Sequence, residues 1–170
     1  MDSKHRQIIV VDDPAALAES AAQRLLSRIA HDGRCSVCLT GGSSPEGLYR
    51  LLAAEPWRGK VPWERVHWFM GDDRFVPLAD PRSNMGIAKR LFLDRSPAPR
   101  GNVHPIPTDA NYPEGAANLY AEELQTFYGA DKRDILHRVF SGEDLPGARV
   151  SCNGDLVWML DRAAAPETVS

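Results

Sequence analysis

A chain of 170 residues with 43% hydrophobic and 25% charged side chains has the make-up of an ordinary globular domain, long enough for one real core and short for two. Lys and Arg number 20 against 23 for Asp and Glu, and the resulting net charge of -3 argues against a general nucleic-acid or membrane-surface binder. The N-terminal stretch MDSKHRQIIVVDD holds only four consecutive apolar residues, too few for a signal peptide or a spanning segment, so a cytoplasmic location with three reduced cysteines is expected.

Gln7 to Val11 (QIIVV) predicts a first strand. Asp13-Pro14 then supplies a helix cap and a proline at the first helical position. Leu17, Ala21, Leu25 and Ile29 follow at helical spacing, with Ala18, Ala22 and Leu26 beside them, and Gly33 closes the helix. Ser36 to Leu39 predicts a second strand. Cys35 and Cys38 have C-x-x-C spacing, but residues three apart on a strand point to opposite faces, so two buried structural thiols are expected and neither a metal site nor a disulfide. Ser44-Pro45 opens a helix with Leu48, Leu51 and Leu52 on one side. Val66 to Met70 (VHWFM) reads as a strand covered on both faces. Ser83 can cap a helix bearing Ile87, Leu91 and Phe92. Pro113 opens another, with Ala116, Leu119, Tyr120, Leu124 and Phe127, stopped by Gly129. This alternation implies an open, mostly parallel α/β sheet with helices on both faces, joined by right-handed crossovers.

The alternation breaks after Gly129. No strand follows; Asp131 to Phe140 (DKRDILHRVF) reads as a further helix, and only Leu156 to Leu160 (LVWML) is strand-like again. Residues 161–170 read as a frayed tail.

In open parallel sheets, ligands bind beyond the carboxyl ends of the strands. Two loops lie there. In the first, Thr40-Gly41-Gly42-Ser43-Ser44-Pro45, glycines would let an anion approach backbone N–H groups, and the Ser43 and Ser44 hydroxyls add donors. The pattern lacks the lysine of a Walker loop, so a phosphate on a small sugar fits better than a nucleotide. A plain turn with Ser44 as helix cap explains the same residues. The second loop, GDDRFVPLADPRSN, sends out Asp72, Asp73 and Arg74 together. They are either a surface ion pair or a polar site in which arginine holds a phosphate and aspartate orients or serves as a base; the strand-end location favours the site. Ser83 and Asn84 could complete it, although capping also accounts for Ser83. No histidine stands in a glycine-rich turn beside an acid. His5 and His31 lie near a terminus and a helix end, His67 is placed as a satisfied core imidazole, His104 precedes a proline, and His137 sits off an apolar helix face.

Taken together, TGGSSPEGLYRLLA, VHWFMGDDRFVPLADPRSNMGIAKRLFL and VHPIP followed by YAEELQTFYG resemble the 6-phosphogluconolactonases, relatives of the glucosamine-6-phosphate deaminases. The likeness runs from about Ile8 to Pro166, with SCNGDLVWMLDRAAAP resembling that family's C-terminal end. It implies a cytosolic hydrolase that opens 6-phosphoglucono-δ-lactone with water and no cofactor. Gly41, Gly42, Ser43 and Ser44 would line the sugar-phosphate site, Arg74 would contact the phosphate, and Asp72 would sit beside the reacting lactone. Asp73 stands where the family usually has glutamate. The resemblance also implies a buried strand after YAEELQTFYGA, then a turn of the type GxGxDGH whose histidine activates water, and later a phosphate-binding lysine. This sequence passes directly to DKRDIL instead. It therefore reads as a single domain over 1–170, internally shortened at about 129–132, with central strands missing and hydrolysis reduced or lost. The partner expected is a small sugar phosphate, with no nucleic acid and no membrane. The alternatives are a non-catalytic sugar-phosphate sensor and a deaminase-like enzyme; the GDDRFVP loop disfavours the latter.

Overall fold

A computed structural model describes residues 6–30, 33–128 and 156–161, the side chains of 6, 7 and 156–161 excepted. The expected helix at 131–140, the stop at Gly129, the tail beyond 161, and His5, His31 and His137 lie outside the described residues.

Strand β1 (Arg6–Val11) leads into helix α1 (Pro14–Ile29), where Asp13 accepts the Ala16 amide at 2.8 Å and Pro14 opens the first turn, as the sequence predicts. The buried side of α1 runs through Ala18, Ala22 and Ile29, so the apolar face is turned slightly from the Leu17–Ala21 line. Helix α1 ends at Ile29, with Gly33 three residues past its cap at a φ of +109°. Strand β2 (Cys35–Leu39), helix α2 (Glu46–Leu52), strand β3 (Val66–Met70), helix α3 (Asn84–Leu91), the two-residue strand β4 (Val103–His104), helix α4 (Pro113–Tyr128) and strand β5 (Leu156–Asp161) follow. Sequence periodicity could not reveal β4, because two residues carry no period.

The described strands form two parallel sheets rather than one. Strand β3 lies between β2 and β4, with Leu39 opposite Met70 and Phe69 opposite His104, while β1 pairs with β5 from Arg6–Leu156 to Val11–Asp161. Among the described residues no strand bridges β1 and β2. The core of the three-stranded sheet divides by strand alternation. Val66, Trp68 and Met70 pack with Ala22, Tyr49, Leu52, Met85 and Phe92 from α1–α3, where the Tyr49 ring stacks on Phe92 at 4.9 Å. Phe69 faces the other way, onto Tyr120 and Leu124 of α4. Helices thus cover both faces. Leu119, expected on the apolar side of α4, is 51% exposed. Cys35 and Cys38 are free thiols, and they are not buried as expected: Cys35 is half-buried and Cys38 reaches solvent on β2, an edge strand among the described residues.

Candidate active site

Both loops singled out in the sequence leave the carboxyl ends of adjacent strands. Gly71 N–H donates to the Leu39 carbonyl at 2.9 Å, so the segments after β2 and β3 start side by side. Two tyrosine hydroxyls pin those starting points. Tyr49, from α2, accepts the Thr40 N–H at 3.2 Å and donates to the Thr40 carbonyl at 2.7 Å. Tyr120, from α4, does the same for Met70 at 3.0 and 2.9 Å. Burial pushes both phenol groups up, which keeps them protonated and able to donate.

Asn84 is where the loops meet. Its Nδ2 donates to the Asp72 carbonyl at 3.0 Å and lies 3.4 Å from Asp72 Oδ2. A Cβ on residue 41 would fall 2.1 Å from Asn84 Oδ1, so only glycine fits there. Gly42 then turns the chain in the left-handed region, at φ +92°, where a side chain would be strained. Gly41, Gly42, Asp72 and Asn84 are therefore brought together. Ser43 and Ser44 are exposed, and among the described residues no hydrogen bond engages either hydroxyl. Ser44 does not cap α2: Pro45 occupies the cap position without a side-chain bond. With only 7 residues, α2 is a short source of N-terminal field.

The neighbouring carboxylate is used differently. Asp73 Oδ1 accepts the amides of Arg74 (2.8 Å) and Asn84 (2.7 Å), and Oδ2 accepts the Met85 amide (3.1 Å) and the Ser83 hydroxyl (3.2 Å). It closes the first turn of α3 from across the loop, where unpaired amides and the helix dipole favour an anion. Ser83 also accepts the Gly86 amide at 3.0 Å and is wholly buried, so its hydroxyl is committed to capping and offers no surface to a ligand. Arg74 is exposed, and among the described residues its guanidinium makes no ion pair or hydrogen bond. A cavity of about 290 Å³ opens beside this loop, lined by Gly71, Asp72, Asp73, Phe75, Thr108 and the inner side of α4. Desolvation, then the charge of Asp72, push the Cys38 thiol up, although the residue as a whole reaches solvent. Among the described residues no histidine lines this cavity. Among the described residues no cluster of three or more His, Cys, Asp or Glu could hold a metal, and no helix is long and apolar enough to cross a membrane.

Sequence reasoning missed Tyr49 and Tyr120, because an apolar helix face shows where a tyrosine ring is buried but not where its hydroxyl lands. It also missed Thr108, which donates to the Val76 carbonyl at 2.6 Å and ties the Asp72 loop to the segment after β4.

The described strands and helices define a parallel α/β protein with a glycine turn and an acidic loop at adjacent strand ends. The family profile described as Glucosamine-6-phosphate isomerases/6-phosphogluconolactonase matches residues 12–129, and the chain belongs to that family. The 6-phosphogluconolactonase of a Synechocystis strain is 41% identical over 105 residues, covering 62% of this chain and 42% of that protein. That of a Nostoc strain is 36% identical over 129 residues, covering 74% and 52%. The chain spans about half the length of the curated relatives it matches. Among solved structures, the Thermotoga maritima 6-phosphogluconolactonase superposes with a TM-score of 0.72 at 20% identity, over 93% of this chain and 100% of that one, which establishes the shared fold.

Proposed function

We propose that this chain binds a phosphorylated sugar lactone and hydrolyses 6-phospho-D-glucono-1,5-lactone to 6-phosphogluconate, without a cofactor and at a much reduced rate. The observation that carries this reading is the contact of Gly41 with Asn84 next to Asp72, which joins the glycine turn and the acidic loop in one site. In this reading the amides and hydroxyls of Gly41 to Ser44 receive the phosphate, and Arg74, unpaired among the described residues, swings onto it through paired N–H groups. Asp72 faces the reacting carbonyl and orients water. Asn84 holds Asp72, and Ser83 acts only through Asp73.

The reduced rate follows from what is missing. The turn that would bring a water-activating histidine is absent from the sequence, and among the described residues no histidine lines the cavity beside Asp72. Loss of general-base assistance costs about 10²–10⁴ in rate. As a single cytoplasmic domain of 170 residues, the chain would stand in the oxidative pentose phosphate pathway as a weak member.

The test pairs two measurements. Freshly prepared lactone is followed above its spontaneous hydrolysis, and 6-phosphogluconate is titrated calorimetrically. Binding with turnover about 10²–10⁴ below a full-length relative is expected. Turnover at the relative's rate, or no binding, refutes the proposal. Binding with no turnover at all supports the second reading, a non-catalytic sugar-phosphate-binding protein, favoured by the absence from the sequence of the turn carrying the water-activating histidine.

A further inference from the structure

On the face of the sheet covered by α4, three ionisable side chains from three elements form one chain of contacts. His67 of β3 lies with Nδ1 2.9 Å from Nε2 of His104 in β4, and His104 Nδ1 lies 2.5 Å from Glu123 Oε1 of α4. His104 is nearly buried, its ring parallel to Phe69 at 4.1 Å, and His67 is half-buried against Phe127 at 4.7 Å. Arg34, just before β2, lies over the Phe127 ring at 4.1 Å and donates to the Phe127 carbonyl at 3.0 Å. Among the described residues, Tyr128 of α4 lies near both Arg34 and Cys38 of β2.

The direction of this chain follows from hydrogen-bonding capacity. A carboxylate only accepts, so His104 must carry its proton on Nδ1. Its Nε2 is then a lone pair, and it can only accept from Nδ1–H of His67. One extra proton can be placed on the far nitrogen of His67 without breaking either bond. A second cannot. With both imidazoles charged, two N–H groups face each other at 2.9 Å with no lone pair between them, beside the charge of Arg34.

We propose that Glu123, His104 and His67 form a proton-operated latch that seats α4 on the sheet and releases it when both imidazoles must carry charge. The consequence reaches the candidate site, because α4 supplies Ala116, Tyr120 and Leu124 to the wall of the cavity next to Asp72. Tyr120 also holds Met70, so unseating α4 frees the root of the Asp72 loop. Desolvation, then His104 and Arg34, lower the His67 pKa, which keeps the latch closed at neutral pH.

The test uses the full chain and needs no ligand, so it is independent of the proposed activity. Long-range proton–nitrogen NMR at about pH 7.5 should show His104 protonated on Nδ1 and His67 on Nδ1. On acidification to about pH 5, amides of α4 should exchange roughly tenfold or more faster, after correction for intrinsic rates, while those of α3 keep their protection. His67→Phe, which keeps a ring against Phe127, should abolish that step. The opposite tautomers, parallel loss of protection in α3 and α4, or an unchanged step in His67→Phe overturns the latch. If His67→Phe does not fold, the tautomers and the α3–α4 comparison in the unaltered chain still decide.

Discussion

Replacing Gly41 by alanine tests the joint on which the site depends. The added Cβ would sit 2.1 Å from Oδ1, 2.3 Å from Cγ and 2.5 Å from Nδ2 of Asn84. All three belong to a short side chain with little freedom, 8% exposed, so Asn84 must leave its place. Its bond to the Asp72 carbonyl is then lost, which costs about 0.5–1.5 kcal/mol. Forcing a methyl group into a packed joint adds about 1–3 kcal/mol. Gly41→Ala should therefore lose about 1.5–4.5 kcal/mol of stability, a sizeable share of the ~5–15 kcal/mol typical of a domain. Urea unfolding at equilibrium reads this directly. The double variant Gly41→Ala/Asn84→Ala isolates the contact: removing the obstructing amide should recover roughly 1–2 kcal/mol relative to the sum of the single changes. Affinity for 6-phosphogluconate should fall in Gly41→Ala because Asp72 loses its holder. A midpoint within experimental error of the parent, or strictly additive double-variant energies, would show that the two loops do not meet.

Arg74→Ala should leave the melting temperature unchanged, since the guanidinium has no partner among the described residues, and weaken binding of 6-phosphogluconate about 10–100-fold by calorimetry. Asp73→Ala should behave in the reverse sense. It removes three hydrogen bonds at the start of α3 and one to the Arg74 amide, so a loss of about 1–3 kcal/mol in urea unfolding is expected, and the weaker binding that follows should track the loss of fold rather than precede it. His67 gives a pH dependence of known sign. Its folded pKa lies below the ordinary 6.5, so the unfolded chain takes up the proton first. Its contribution to stability is full above that value and is lost as pH falls from there toward the folded pKa. Unfolding midpoints across that window should decline in the parent and flatten in His67→Phe; a midpoint that rises on acidification contradicts the assignment.

Much of this protein could be read along the chain. The Asp13-Pro14 start, the five apolar residues of β3 and the Ser83 cap are local features, set by neighbours within four positions, and each is found where the sequence places it. The break in rhythm after Gly129 was equally legible in the sequence, and it lies outside the described residues. Other facts have no local signature. Ser44 looks like a helix cap and is not one, while Asp73, distant in sequence from α3, is held by its first amides. The division into two sheets, the landing points of the Tyr49 and Tyr120 hydroxyls, and the line from His67 to Glu123 arise only once strands are paired and helices are packed. Periodicity along a chain specifies which face of an element is apolar. Which distant polar atom lies across from it depends on register and packing, and those are properties of the assembled fold.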